Sequence, residues 1–258
     1  MLVALRILLA SLRIILIIVP MAILILSYIL LTSTVFKHNH DRAFRLRRWY
    51  LHYMNFILGI NTKVVGELQD APALYVSNHR SLSDPLILCR RLDAYIIAKA
   101  EVARYPLIST GAELTGILYV ERNDKSSRSA VREQMKLTLK EGHNVLVYPE
   151  GTVNCHKKTL EYRNGTFREA AALGIPVVPV CLEYKRAKDV WCKRSMIKHY
   201  FLQFGYLFTE ARLHIGSAIY DDDGLELRRK AEAWTNATID KIHNNWDSYF
   251  NENDTTEK

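Results

Sequence analysis

Short apolar runs alternate with helical patterns of apolar residues from about residue 61 to residue 249. Short apolar runs are typical of buried strands, whereas apolar residues at three- and four-residue spacing indicate helices. The predicted strands are residues 73–76, 94–98, 117–120, 145–148, 177–182 and 213–219. The predicted helices are residues 84–91, 126–141 and 166–173, and a further helical pattern covers residues 227–249. This alternation predicts an α/β domain with a largely parallel central sheet flanked by helices.

The N-terminal region has a different pattern, because residues 14–36 form a 23-residue stretch without a charged side chain. Such a stretch is long enough to span a bilayer, and no signal-peptide cleavage site follows it. An aromatic segment at residues 49–58 predicts a second helix at the membrane interface. Pro20 in the stretch and Arg6 and Arg13 before it leave three interpretations open: a spanning helix, a helical pair in one leaflet, or a buried core helix.

These patterns predict membrane-anchoring helices at residues 1–60, one globular domain at residues 61–250 and a polar tail at residues 251–258. Five Lys or Arg residues closely follow the uncharged stretch and two precede it, so the positive-inside rule places the globular domain in the cytoplasm. The net charge of +8 favours an anionic lipid surface or a phosphorylated substrate. No nucleic-acid recognition motif occurs, and we expect no nucleic-acid partner.

Four cysteines occur without C-x-x-C spacing, so the sequence carries no metal or redox signature and predicts no cofactor. Scattered thiols of this kind fit a reducing compartment.

His79 and Asp84 are the first candidates for chemistry. A neutral imidazole accepts a proton near neutral pH, and a neighbouring carboxylate fixes its tautomer and stabilises the imidazolium. Residues five apart do not face each other on one helix or one strand, so a turn must bring these two side chains together. Pro85 favours the first position of a helix, which predicts Asp84 as the N-cap. The alternative is that Asp84 is only a helix cap and His79 only a loop residue.

Three polar clusters directly follow predicted strands. His79 follows the first, residues 121–125 follow the third, and residues 149–152 follow the fourth. Ligands bind at the carboxyl ends of strands in open α/β sheets, so these clusters are expected to converge. Arg122, Lys125 and Arg128 form a cationic loop suited to a phosphate, or alternatively a solvated charged loop. Glu150 could accept a hydrogen bond from a substrate hydroxyl, or alternatively cap a nearby loop.

Four ordered blocks resemble the glycerophospholipid acyltransferase family, specifically the 1-acyl-sn-glycerol-3-phosphate acyltransferases, over residues 60–220. The resemblance implies a catalytic base and partner in residues 78–84 and a phosphate-binding arginine at Arg122, the end of residues 116–122. It implies a site for the acceptor's glycerol phosphate in residues 148–152, which include Glu150, Gly151 and Thr152. It further implies an apolar strand near the acyl donor at residues 175–180, with Arg163 and Gly165 between the last two blocks.

Two positions depart from the family pattern. Glu121 stands where the second block usually has Asp, which keeps the charge, and Val153 stands where the third block commonly closes with Arg. The missing guanidinium removes a phosphate ligand. Either Lys157, Lys158 or Arg163 compensates, or the acceptor's head group is not a simple phosphomonoester.

The activity implied by the resemblance is transfer of an acyl group from a thioester, acyl-CoA or acyl carrier protein, to lysophosphatidate in a membrane, giving phosphatidate. His79 would be the general base and Asp84 its orienter, with no covalent enzyme intermediate. Other acceptors remain open, namely a lysophospholipid or an amino-acid-linked lyso-lipid, and Val153 favours them. A lipid hydrolase is a further alternative, although no G-x-S-x-G motif occurs, and so is a non-catalytic membrane-binding protein.

Overall fold

The structure is a computed structural model that describes residues 1–192 and 195–246. The predicted polar tail at residues 251–258 lies outside the described residues, as does the end of the last helical pattern. The described residues form a seven-stranded sheet in the order β1-β7-β6-β2-β5-β3-β4. Its strands are β1 (Ile60–Val65), β2 (Leu74–Ser77), β3 (Ala94–Lys99), β4 (Ile117–Val120), β5 (Asn144–Val147), β6 (Val177–Tyr184) and β7 (Thr209–Ile215).

Every neighbouring pair of strands is parallel except β6 and β7, which are antiparallel. The prediction of an α/β fold with a largely parallel sheet flanked by helices is therefore confirmed. The helices are α1 (Leu2–Thr34), α2 (His40–Leu58), α3 (Asp84–Leu88), α4 (Pro106–Leu114), α5 (Lys125–Lys140), α6 (Gly165–Leu173), α7 (Met196–Phe204) and α8 (Gly224–Asn244).

Some element boundaries differ from the sequence predictions. The last strand covers Thr209–Ile215 rather than residues 213–219, and beyond it only an isolated bridge joins Ile219 to Val177. The ladder is interrupted opposite Pro179, whose carbonyl accepts from Gly216 N–H but whose ring nitrogen has no hydrogen to return. The helix predicted at residues 84–91 ends at Leu88. No prediction covered β1, α4 or α7.

Two apolar clusters cover the two faces of the sheet, as the alternation of side chains along a strand requires. Tyr75 and Leu146 belong to the cluster that also contains side chains of α2, α3 and α7. Leu74 and Val145 belong to the cluster that contains side chains of α5, α6 and α8. The loops at the strand ends are therefore attached to a rigid, fully packed sheet.

Helix α1 is long and apolar enough to cross a membrane, and it also packs closely against the sheet domain. The guanidinium of Arg13 donates to the backbone carbonyls of Phe204, the last residue of α7, and of Tyr206 and Leu207 just beyond it. The guanidinium of Arg6 lies 4.1 Å from the ring centre of Tyr206. These contacts fix the first half of α1 to α7.

Candidate active site

The carboxyl ends of β2, β4, β5 and β6 lie at one edge of the sheet, because these strands are mutually parallel through their neighbours. The chain leaves β2 after Ser77 and turns sharply through residues 78–83 before α3 begins at Asp84. This turn brings the His79 Nδ1 atom to 2.7 Å from Asp84 Oδ2. The two side chains that the sequence pairs by spacing alone are in hydrogen-bond contact.

Asp84 is completely buried, and its carboxylate points back toward the turn. Oδ2 accepts from the backbone N–H groups of Arg80 and Ser81, and Oδ1 accepts from the hydroxyl of Tyr184. The predicted N-cap role is wrong: Ser83 occupies the N-cap position, and Asp84 is the first helical residue. The carboxylate instead accepts from groups that precede the helix, which fixes it relative to His79.

The His79 ring stacks on Tyr148, with 4.2 Å between ring centres. Because a carboxylate only accepts hydrogen bonds, Nδ1 carries the proton and Nε2 is the basic nitrogen of the ring. The side chain is 19% exposed and borders a cavity, so a substrate hydroxyl has access to it. This arrangement suits proton abstraction by His79 with Asp84 as the orienting group.

The cavity beside His79 has a volume of about 1030 Å³ and is mostly apolar. Its walls include side chains of α1, α2, α4 and α7, together with residues of β3 and the following turn. Representative lining residues are Ile17, Met21, Tyr50, Met54, Ile108 and Phe201. Such a space is suited to an aliphatic chain whose reactive end lies next to His79.

Arg122, Thr152 and Val153 also line this cavity. Burial lowers the pKa of the half-buried Arg122 guanidinium, and the positive charge of Arg163 lowers it further, whereas Glu101 acts in the opposite direction. Arg163 lies against Gly151, where an added Cβ atom would be 2.7 Å from the Arg163 Cζ atom. Gly151 has a φ of +72°, so glycine serves both its backbone conformation and the close approach of the guanidinium.

Glu150 is buried, and its carboxylate is occupied by the protein itself. Oε1 accepts from the backbone N–H of His79, and Oε2 accepts from the backbone N–H of Leu160 and from the Asn154 side chain. Burial raises the pKa of this carboxyl, although these hydrogen bonds oppose the shift. The geometry corresponds to the loop-capping alternative and fixes the backbone that carries His79.

The remaining predicted cations do not line the cavity. Lys125 is exposed at the start of α5, and Arg128 donates to the backbone carbonyl of Arg122 at 2.5 Å. Arg128 therefore shapes the loop that presents Arg122. Within residues 1–192 and 195–246, no group of three or more His, Cys, Asp or Glu side chains is arranged to hold a metal ion.

Sequence reasoning missed Tyr184, which contacts Asp84 directly. Tyr184 is the last residue of β6, which lies beside β2 and continues four residues past Val180, the partner of Ser77, so that its end runs alongside the turn after β2. A polar residue at the end of an apolar strand was a signal that could have pointed to Tyr184. Its contact with Asp84 could be inferred only once the order of the strands was known.

Known proteins resemble the part of the chain that carries these residues. Residues 61–183 match the sequence model of the Acyltransferase family. The chain is 32% identical over 142 residues to the lyso-ornithine lipid O-acyltransferase of Pseudomonas aeruginosa, covering 55% of each protein. It is 34% identical over 114 residues to a 1-acyl-sn-glycerol-3-phosphate acyltransferase of Chlamydomonas reinhardtii, covering 44% of this chain and 34% of that protein. The chain spans about half the length, or less, of these curated relatives.

A solved structure shares the fold. The crystal structure of the 1-acyl-sn-glycerophosphate acyltransferase PlsC from Thermotoga maritima superposes with a TM-score of 0.69 at 17% sequence identity. The superposition covers 94% of this chain and 95% of that chain, so the likeness includes the N-terminal helices.

Proposed function

Because residues 61–183 match the sequence model of the Acyltransferase family, we propose that this chain transfers an acyl group from a thioester donor to the free hydroxyl of a lyso-lipid. The observation that carries the proposal is the His79–Asp84 pair, 2.7 Å apart at the edge of an apolar cavity of about 1030 Å³. A general base alone suits many reactions. A general base that opens onto an aliphatic-chain site suits acyl transfer to or from a lipid.

The proposed reaction begins when His79 Nε2 takes the proton of the acceptor hydroxyl as the hydroxyl oxygen attacks the thioester carbonyl carbon. Asp84 keeps Nδ1–H hydrogen-bonded and stabilises the imidazolium that forms. The tetrahedral intermediate then collapses, the carbon–sulfur bond breaks, and the leaving thiolate takes the proton from His79. No covalent intermediate with the protein is needed.

For the acceptor, we favour an amino-acid-linked lyso-lipid of the lyso-ornithine type. The relative from Pseudomonas aeruginosa supports this choice, and so does Val153, an apolar residue lining the cavity where the family block commonly has Arg. Arg122 and Arg163 would bind the head group's carboxylate. Glu101 lines the same cavity and acts electrostatically on Arg122, so it could receive the ammonium group.

Lysophosphatidate is the second candidate acceptor. Two neighbouring guanidiniums, Arg122 and Arg163, suit the double charge of a phosphomonoester. The Chlamydomonas relative supports this reading over a smaller part of the chain.

The test supplies the purified full chain with a panel of lyso-lipids and with both acyl-CoA and acyl carrier protein donors, and identifies products by mass. We expect a diacyl ornithine lipid as the main product, and a Val153→Arg variant should shift the preference toward lysophosphatidate. If phosphatidate is the main product, lysophosphatidate is the preferred acceptor. Thiol release with free fatty acid and no diacyl lipid would overturn acyl transfer in favour of hydrolysis.

We also propose that α1 lies along one leaflet rather than crossing the bilayer. Contacts with the sheet domain extend from Arg6, at Tyr206, to Ile25, which lies against Gly111. A helix crossing the membrane with such contacts would pull the domain into the bilayer. The opposite face of α1 carries exposed apolar side chains at helical spacing: Leu5, Leu8, Leu12, Ile15, Val19, Ile23, Leu26 and Leu30.

A monotopic helix leaves the domain on the side of the membrane where it is synthesised, which supports a cytoplasmic location. Single cysteines at Leu2 and Thr34, the two ends of α1, test this in a background with Cys155 and Cys192 replaced by Ser. A membrane-impermeant thiol reagent should label both positions from the cytoplasmic side only. Labelling of the two ends from opposite sides would establish a spanning helix.

A further inference from the structure

A continuous series of buried polar side chains lies behind Asp84, on the side away from His79. Its members are Tyr184, Ser83, Gln203, Ser81 and His199, and each is at most 5% exposed. Tyr184 comes from the end of β6, the two serines come from the turn after β2, and Gln203 and His199 come from α7. Three separate elements therefore converge on one carboxylate.

The directions of these hydrogen bonds follow from the carboxylate, which accepts only. Tyr184 Oη must donate to Asp84 Oδ1 at 2.7 Å, so it can only accept from Ser83 Oγ, which lies 2.9 Å away and is nearer to Tyr184 Oη than to its other acceptor, Ser81 Oγ, at 3.2 Å. Ser83 Oγ in turn accepts from Gln203 Nε2 at 3.0 Å. Because each hydroxyl has one proton, the first donation determines the direction of the next.

The series continues in the same direction beyond Gln203. Gln203 Oε1 accepts from Ser81 Oγ at 3.0 Å, and Ser81 Oγ accepts from His199 Nε2 at 3.2 Å. From His199 to Asp84, every group thus donates toward the carboxylate. Hydrogen bonds aligned in this way polarise one another and strengthen the last one.

Tyr184, Tyr148 and His199, which are packed around the pair, all stay uncharged near neutral pH. Burial raises the pKa of Tyr184 and of Tyr148 well above the ordinary tyrosine value. Burial lowers the pKa of His199 to about 4, although Asp84 opposes the shift, whereas Lys188 favours it. Glu150 faces the backbone N–H of His79 rather than its ring, and the Arg80 guanidinium is turned away to pair with Glu183.

We propose that Tyr184 is a positioning residue of the acyl-transfer site: it fixes the ionised Asp84 against His79 and, through Ser83 and Gln203, makes that orientation depend on α7. The inference rests on the proposed function, because it assigns Tyr184 a part in the same proton transfer. Helix α7 also contributes Tyr200, Phe201 and Phe204 to the cavity wall. The chain of hydrogen bonds therefore joins the wall of the aliphatic-chain site to the catalytic carboxylate.

The test is a Tyr184→Phe variant of the full chain, assayed against wild type from pH 5 to 9 with a lyso-lipid acceptor and an acyl-CoA donor. Removing one hydrogen bond to a charged group should lower kcat by about ten- to a hundredfold and leave the acceptor KM unchanged. Asp84 keeps its charge with one donor fewer, so it stabilises the His79 imidazolium more strongly. The acid limb of kcat/KM should move to higher pH by about half a unit.

Tyr75→Phe is the matched control. Tyr75 is equally buried in the neighbouring strand, but its hydroxyl accepts from Gln69 N–H and is not connected to Asp84. This control should keep the wild-type kcat and pH profile. Ser83→Ala breaks the series of hydrogen bonds one step farther from Asp84. It should lower kcat and shift the acid limb in the same directions, but by smaller amounts.

His79→Ala is measured in parallel, so that failure of the positioning role and failure of the proposed reaction give different results. A folded Tyr184→Phe variant with wild-type kcat and an unshifted acid limb, beside an inactive His79→Ala, would overturn the positioning role alone. An active, folded His79→Ala would overturn the proposed reaction itself. A loss of kcat in Tyr184→Phe without a shift of the acid limb would indicate a general packing defect and would also contradict the proposal.

Discussion

The two sides of the cavity mouth differ in how completely their charges are partnered. On the side that we call the dyad side, Asp84 accepts four hydrogen bonds, from His79, from two backbone N–H groups and from Tyr184. On the cationic side, Arg122 and Arg163 lie close enough for the charge of Arg163 to lower the pKa of Arg122. Neither guanidinium is hydrogen-bonded to a carboxylate among the described residues. The dyad side is therefore complete before substrate binds, whereas an anionic head group would complete the cationic side.

The largest expected effect lies on the dyad side. His79→Ala should lower kcat at least about a hundredfold, because it removes the proposed general base and leaves the sheet unchanged. Steady-state kinetics measures kcat, and circular dichroism of the same preparation shows whether the variant is folded. Wild-type kcat in the folded variant would mean that the complete hydrogen bonding of the dyad side is structural only.

On the cationic side, Arg122→Ala should raise the acceptor KM by about tenfold and affect kcat less, because a charge-assisted contact to the head group is lost. Added salt should reduce the difference between variant and wild type. Lys125→Ala is the matched control, since this exposed cation of the same loop does not line the cavity. Equal KM changes in the two variants would mean that the whole loop acts through its charge and not through a defined contact.

The smallest effect concerns the contact that places Arg163. Gly151→Ala should destabilise the fold by about 1–2 kcal/mol, through its positive φ and the displacement of the guanidinium. Gly142→Ala separates the two causes, because Gly142 has a φ of +88° but no atom within 4 Å of an added Cβ. Thermal unfolding should show the larger loss at Gly151, and only Gly151→Ala should raise the acceptor KM. Equal losses of stability and an equal acceptor KM in the two variants would mean that Arg163 does not contribute to acceptor binding.

Sequence patterns predicted most of the central sheet, because buried parallel strands such as β2, β5 and β6 are nearly continuous apolar runs. They missed β1, which carries Asn61, Thr62 and Lys63, because an edge strand with only two buried residues lacks that signal. The spacing of His79 and Asp84 predicted a turn that brings them together, but the direction of the Asp84 carboxylate depends on backbone N–H groups that no pattern reveals.

The surroundings of the dyad could not be predicted for a different reason. Tyr184, Gln203 and His199 lie about 100 or more residues from the turn that they contact. Their approach depends on β6 pairing with β2 and on α7 packing beside that pair. Glu150 was correctly placed at a strand end, but only the three-dimensional structure directs its carboxylate to the His79 backbone.

Helix α1 has one further consequence, for attempts to obtain the enzyme without its long apolar helix. Ile14, Ile17, Met21 and Ile25 of α1 line the cavity beside His79, and Arg13 is hydrogen-bonded to the end of α7. A shortened chain without α1 would gain solubility but would open the aliphatic-chain site to water along its whole length. The helix that we propose attaches the protein to the lipid surface is thus also an interior wall of the cavity beside His79, and neither use can be removed without the other.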